Sequence, residues 1–156
     1  MKRTILLAVA LFLFLNLNAA AFDTSLLEMR DNFFSEARLL KAQLANSKDA
    51  VLVVSMWDSS IMATSQLNAY FHMVGIFDGI KDKDLTQDSI NFLVSWLNEI
   101  KRTSDQQIKS LDTISTPIEP STQVHVVRLR QYFSDVNDRI DNELNRIDAL
   151  SKKVSK

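Results

Sequence analysis

The 156-residue chain carries 18 basic and 19 acidic side chains, a formal charge of −1, and no cysteine. A chain so close to neutral has no electrostatic footprint for nucleic acid or an anionic membrane. Without a thiol there is no disulfide, no CxxCH haem attachment and no acylated cysteine to anchor a lipoprotein.

The N-terminus reads MKRTILLAVALFLFLNLNAAAFD. Lys2 and Arg3 precede an apolar run from Ile5 to Leu15, and Ala19, Ala20 and Ala21 follow, which is the three-part order of a secretory signal peptide cut after Ala21. The run spans about 11 residues where a membrane-crossing helix needs ~20. The short Lys/Arg-led segment and its alanine cut site point to a bacterial signal, with the periplasm as the default destination and full secretion as the alternative. Loss of residues 1–21 removes Lys2 and Arg3 and takes the formal charge from −1 to −3. The remaining 135 residues suit a single domain, 22–156, with one core.

Only two glycines and two prolines punctuate the chain, which favours a few long helices. The first is expected over 25–45: Ser25 with Glu28 has capping-box form, and Leu26, Met29, Phe33, Ala37, Leu40 and Leu44 recur at intervals of three and four. NSKD at 46–49 is a polar break. A second helix follows over 48–78, with Gly79 placed for a left-handed C-terminal cap.

After KDKDLT, with Thr86 as N-cap, a third helix spans 86–115 on Ile90, Leu93, Leu97, Ile100, Ile108, Leu111 and Ile114. It stops before Pro117, because the residue ahead of proline is pushed out of helical geometry. The fourth, 120–154, carries Val126, Leu129, Phe133, Val136, Ile140, Leu144, Ile147, Leu150 and Val154 as a long apolar seam. Asp135 with Arg139 and Glu143 with Arg146 are expected as ion pairs on its charged outer face. No strand-like alternation competes. The expected fold is all-α, an antiparallel up-down-up-down four-helix bundle.

The second helix is unusual. Leu52, Met56, Ala63, Leu67, Tyr70, Val74 and Phe77 make a core stripe. Beside it runs a second stripe, apolar at its ends and small or polar in the middle, through Val54, Trp57 or Asp58, Ile61, Thr64 or Ser65, Asn68, Phe71 or His72, and Gly75. A membrane span is excluded by the cost of Asp58 and several amides in hydrocarbon. Two readings stay open. Either Asp58 and the serines face water while Trp57, Ile61 and Met62 turn inward, or Asp58, Thr64, Asn68 and His72 line a ligand pocket between helices.

Catalytic and metal motifs are missing: the sequence has no GxSxG, HExxH, phosphate-binding glycine loop or ExxH pair. Asp58 and His72 lie about 21 Å apart along one helix, too far to share a proton. His72 and His125 belong near opposite ends of a bundle and cannot share a metal. A b-type haem held by Met29 and His72 would need both at one level, and they differ by about 10 Å. Copper held by Met62, His72 and Met73 fails because neighbouring helical residues point about 100° apart. No cofactor and no metal is therefore expected.

No motif assigns a family. The arrangement is broadly similar to exported four-helix ligand-binding or sensor modules such as those of chemoreceptors, although the second membrane span and signalling region those receptors use are not in this sequence. LTQDS at 85–89 resembles the LTxxQ motif of periplasmic stress chaperones, but its glutamine is displaced, so that function is not carried over. The expectation is a non-catalytic exported bundle that binds a protein, or itself, along a helix face. The alternative is a small-molecule or haem binding module.

Overall fold

The computed structural model describes residues 24–77, 79–80, 83–114 and 117–154. The expected signal peptide, residues 1–21, lies outside them. The described residues are all-helical, with no strands: α1 Thr24–Gln43, α2 Ala50–Phe77, α3 Lys83–Asp112 and α4 Pro120–Val154, plus a 3-10 turn Leu44–Asn46 that continues α1. At 1.5 Å per residue α2 and α3 are each about 42–45 Å long and α1 about 30 Å.

The helices neighbour one another in a ring, α1 against α2, α2 against α3, α3 against α4 and α4 against α1. α2 also reaches α4 across the middle, whereas α1 and α3 do not meet, so the cross-section is a rhombus with α2 and α4 on its short diagonal. The core follows from the stripes: Leu26, Met29, Phe33 and Leu40 meet Met56, Leu67, Leu97, Ile100, Leu129, Phe133 and Ile140, all essentially inaccessible. Phe33 packs against Phe133 with ring centroids 4.8 Å apart and planes tilted by 45°, and meets Tyr132 edge-on at 5.8 Å.

Polar cross-links set the register. Between α3 and α4, Arg130 Nε bonds Asp112 at 2.6 Å, Asn137 Nδ2 bonds Asp105 at 2.7 Å and Lys101 Nζ bonds Asp141 at 2.5 Å. Partners climb one helix as they descend the other. Between α1 and α4, Arg139 Nη1 reaches back to the Ser25 carbonyl at 2.9 Å and Glu28 at 3.3 Å. Arg139 therefore does not pair with Asp135, as the one-helix spacing suggested; Asp135 instead accepts from Gln131 at 2.7 Å. Glu143 does pair with Arg146, but it is buried rather than on the outer face, because it sits three residues after Ile140 and four before Ile147 on the core stripe.

The start of α2 and the start of α4 cap each other. Asp49 and Glu119 immediately precede their helices, and their carbonyls already accept the first helical bonds, from Val53 at 3.0 Å and Gln123 at 2.9 Å. Asp49 Oδ2 accepts the Glu119 backbone N–H at 2.7 Å, while Glu119 Oε2 accepts the Lys48 N–H at 3.0 Å and the Ser47 hydroxyl at 3.3 Å. Each carboxylate lies at a helix N-terminus, where the macrodipole favours negative charge, and each satisfies an orphan donor at the other helix. Gln43 Nε2 extends the clasp to Ser121 and Thr122 at 3.2 and 3.1 Å.

Two expected caps are corrected. α3 begins at Lys83, so Thr86 lies inside it. Gly79 is not left-handed, since no glycine among the described residues has positive φ. Instead α2 closes with tight turns, Gly79 N–H to Ile76 O at 3.3 Å and Ile80 N–H to Phe77 O at 3.1 Å, which satisfy the last carbonyls without a change of hand.

Asp49→Ala and Glu119→Ala are each expected to lower unfolding free energy by about 1–2 kcal/mol in urea titration. The double variant should lose clearly less than the sum, because each side chain caps the helix the other begins.

Candidate functional site

The four residues proposed for a pocket are spread around α2. Asp58 is exposed and lines a surface groove. Thr64 is buried, and its hydroxyl donates to the Ser60 carbonyl at 2.8 Å, one turn back on the same helix. Asn68 faces α1, where its Oδ1 accepts from Arg30 Nη1 at 3.3 Å. His72 is exposed. No cavity described below takes in more than one of these four. Of the residues expected to turn inward, Trp57 and Met62 are half-buried and Ile61 is exposed, while Ser59 and Ser60 are buried.

Burial of small hydroxyls has a local cause. Ser59 Oγ donates to Gln107 Oε1 on α3 at 2.8 Å, Ser60 Oγ donates to the Met56 carbonyl at 2.8 Å, and Ser104 Oγ donates to Ile100 O at 3.0 Å. Trp96 Nε1 reaches over to the Gln66 carbonyl at 3.1 Å. The α2–α3 seam is thus polar but satisfied, which keeps it inexpensive to bury.

Outside this seam lies an open groove of about 530 Å³ lined by Val51, Val54, Asp58, Met62, Gln107 and Ser110 among others. Behind it a void of about 40 Å³ sits between Leu52, Met56, Leu111, Ile114, Leu129 and Phe133. Ser55, Ser59, Gln107 and Ser110 border both spaces, so three hydroxyls and an amide form a polar neck between the open groove and the small chamber.

The larger feature is the outer face of α2. In its 28 residues Asp58 is the sole charged side chain, whereas in α1, α3 and α4 about one residue in three is charged. Val51 is 87% exposed and Ile76 65%, with Val54 and Ile61 more than a third exposed on the same side. A helix without a charged face is ordinarily covered on all sides, and this bundle covers α2 on three.

The burial of two carboxylates went unread in the sequence, Glu36 altogether and Glu143 because it was placed on the outer face of α4. Glu36, 1% exposed, contacts His125 Nδ1 through Oε1 and accepts from Arg128 Nη1 through Oε2 at 2.9 Å, joining α1 to α4. Glu143, 2% exposed, accepts the Tyr70 hydroxyl through Oε1 and Arg146 Nε through Oε2 at 2.7 Å, joining α2 to α4. The available signal was position: Glu36 falls between Phe33 and Leu40, and Glu143 between Ile140 and Ile147, both on core stripes. In each case both oxygens are engaged by neighbouring helices or by the following turn. Buried pairs of this kind are costly to break from one side.

Burial, and then the Glu143 carboxylate that accepts its hydrogen bond, push the Tyr70 hydroxyl well above its ordinary value of 10.0. Burial and then Glu36 push Tyr132 in the same direction. Among the described residues no group of three or more His, Asp or Glu side chains is placed to hold a metal. His72 is exposed and Met29 is buried in the core, so the two do not face a common haem slot.

No known protein family matches the chain, and neither a curated protein nor a solved structure does.

Tyr70 yields a pH prediction. Above about pH 10 the unfolded chain releases the phenolic proton and the folded chain keeps it, so stability falls as pH rises. The slope from this group is about 1.4 kcal/mol per pH unit. Tyr70→Phe removes that component: wild type and variant, unfolded in urea between pH 8 and 11, should converge as pH climbs. At pH 7 the variant should be weaker by about 1–2 kcal/mol, for loss of the hydrogen bond to a buried carboxylate.

Proposed function

We propose that this is an exported, non-catalytic helical-bundle protein that acts in the periplasm by binding a protein, another chain or itself, through the outer face of α2. The observation that carries the reading is the single charge in that 28-residue helix, together with the exposed Val51, Val54, Ile61 and Ile76. Contiguous apolar surface of this kind on a monomer marks an interaction site. The reading takes the four helices as an up-down-up-down bundle, supported by the opposed order of the α3–α4 and α1–α4 cross-links, and takes residues 1–21 as a removable signal. No helix among the described residues is long and apolar enough to cross a membrane.

A second reading rests on the groove at Asp58 and the void behind Ser59. A small amphiphile with a cationic head at Asp58 and a short apolar end would fit that neck, which makes a binding module the alternative.

A photo-reactive amino acid at position 61, introduced in living cells, is expected to give protein adducts on irradiation, whereas the same group at Asp138 on the exposed side of α4 should give few. Equal yields at both positions would remove the α2 face as an interaction site.

A further inference from the structure

Seven residues along the outer side of α2 are spaced symmetrically about Ser65. Reading outward from Ser65, Ile61 lies four residues before and Ala69 four after; Asp58 lies seven before and His72 seven after; Val54 lies eleven before and Ile76 eleven after. The sequence of steps, 4-3-4-4-3-4, keeps all seven on one side of a helix. Ser65, Asp58 and His72 are exposed, as are Val54, Ile61 and Ile76, while Ala69 is half-buried. The two ends carry Val54 and Ile76, the middle carries Ile61, Ser65 and Ala69, and between them stand one carboxylate and one imidazole.

We propose that a second copy of this chain packs antiparallel on the outer face of α2, about a two-fold axis at Ser65, with Asp58 of each copy facing His72 of the other. The partner is inferred on the reading that α2 presents an interaction face, and it adds which protein covers that face.

Three observations carry the proposal. First, the charges match only in this direction. In an antiparallel pair centred on Ser65, a residue at distance n before the centre meets the residue n after it, so both Asp58–His72 contacts form at once. A parallel pair would instead place Asp58 against Asp58 and His72 against His72. An imidazole N–H donates to a carboxylate in either protonation state, so the contact does not depend on His72 being charged.

Second, neither side chain is already engaged: among the described residues Asp58 and His72 make no hydrogen bond or ion pair. That differs from Glu36 and Glu143, whose oxygens are fully used inside the bundle. The sole charge of α2 and its sole imidazole are therefore the polar groups left to specify a contact.

Third, the apolar positions come together. Val54 of one copy meets Ile76 of the other, and Ile61 meets Ala69, where the small side chain leaves room for the isoleucine. Ser65 meets Ser65 at the axis, where a small residue lets two helices approach. Arg30 on α1 bonds Asn68, so Phe34, one turn further along α1, lies at the level of the axis. Phe34 is half-exposed and adds an aromatic group beside the centre. The contact is isologous, the same patch on both copies, and closes on itself as a dimer rather than growing into a fibre. From Val54 to Ile76 the strip is about 33 Å long and one helix wide, which belongs to the small class of interfaces.

The test is sedimentation equilibrium of the protein expressed as the full chain with export, compared with Ser65→Arg, Asp58→His, His72→Asp and the double swap Asp58→His with His72→Asp. Wild type should dimerise. Ser65→Arg and each single swap should raise the dissociation constant about tenfold or more. The double swap should return it to within about threefold of wild type, because each histidine again faces an aspartate. All substitutions are at exposed positions, and an unchanged thermal transition monitored by circular dichroism confirms folding. A dimer indifferent to Ser65→Arg, or single swaps that the double swap fails to rescue, overturns the proposal. A monomeric wild type that still gives adducts from position 61 with a protein of different mass also overturns it, while leaving the α2 face as an interaction site. A monomeric wild type with no adducts removes both.

Discussion

The short diagonal between α2 and α4 is the constraint from which the rest of the bundle follows. α1 and α3 stay apart, so α2 and α4 carry the centre, with Met56 and Leu67 among the buried groups on one and Leu129, Phe133 and Ile140 on the other. The Tyr70–Glu143 hydrogen bond spans this diagonal. A carboxylate at such a position can be tolerated only with all its lone pairs answered, and Arg146 from the following turn supplies the charge that Tyr70 cannot. Sliding α2 along α4 by one turn would leave Glu143 half-satisfied, so the polar contact specifies a register that apolar contacts alone would allow to drift.

The far end is held differently. There the Asp49–Glu119 exchange of caps ties the start of α2 to the start of α4, and Glu36 with His125 and Arg128 ties α1 to α4 in the first turns above it. With no cysteine in the chain, no disulfide ties these helices, and the hydrogen-bonded carboxylates provide the links between them. Their worth lies mainly in the penalty for breaking them, since a buried carboxylate without its partner is far more costly than the intact pair is favourable.

Holding α2 on three sides has a consequence for its fourth. The seam to α3 is lined by serines, threonines and Gln107, which bond their own backbone or each other and need no water. The chain thus places its polar small residues inside and leaves Val51, Val54, Ile61 and Ile76 outside. That inversion is costly for an isolated bundle and natural for one whose fourth side is covered.

The amino-acid sequence by itself determined that the fold is helical, because sparse glycine and proline and three-and-four spacing leave no competing pattern. It also determined the core of α1 and α4, where Leu26, Met29, Phe33, Leu129, Phe133 and Ile140 each recur on a single stripe. It narrowed attention to α2 by the oddity of its composition, with Asp58 and His72 standing out. The core stripe of α2 was legible too, through Met56, Ala63, Leu67 and Tyr70. Only the tertiary structure decided where the polar side chains beside it point, because small polar residues next to a core stripe fit a buried seam and a wet face equally well. Thr64 turned inward to its own backbone, Asn68 turned to Arg30, and Asp58 and His72 stayed at the surface. The roles of Glu36 and Glu143 were likewise decided by partners on other helices, His125, Arg128 and Tyr70, which lie 73 to 92 residues away in sequence and which no local pattern could bring together.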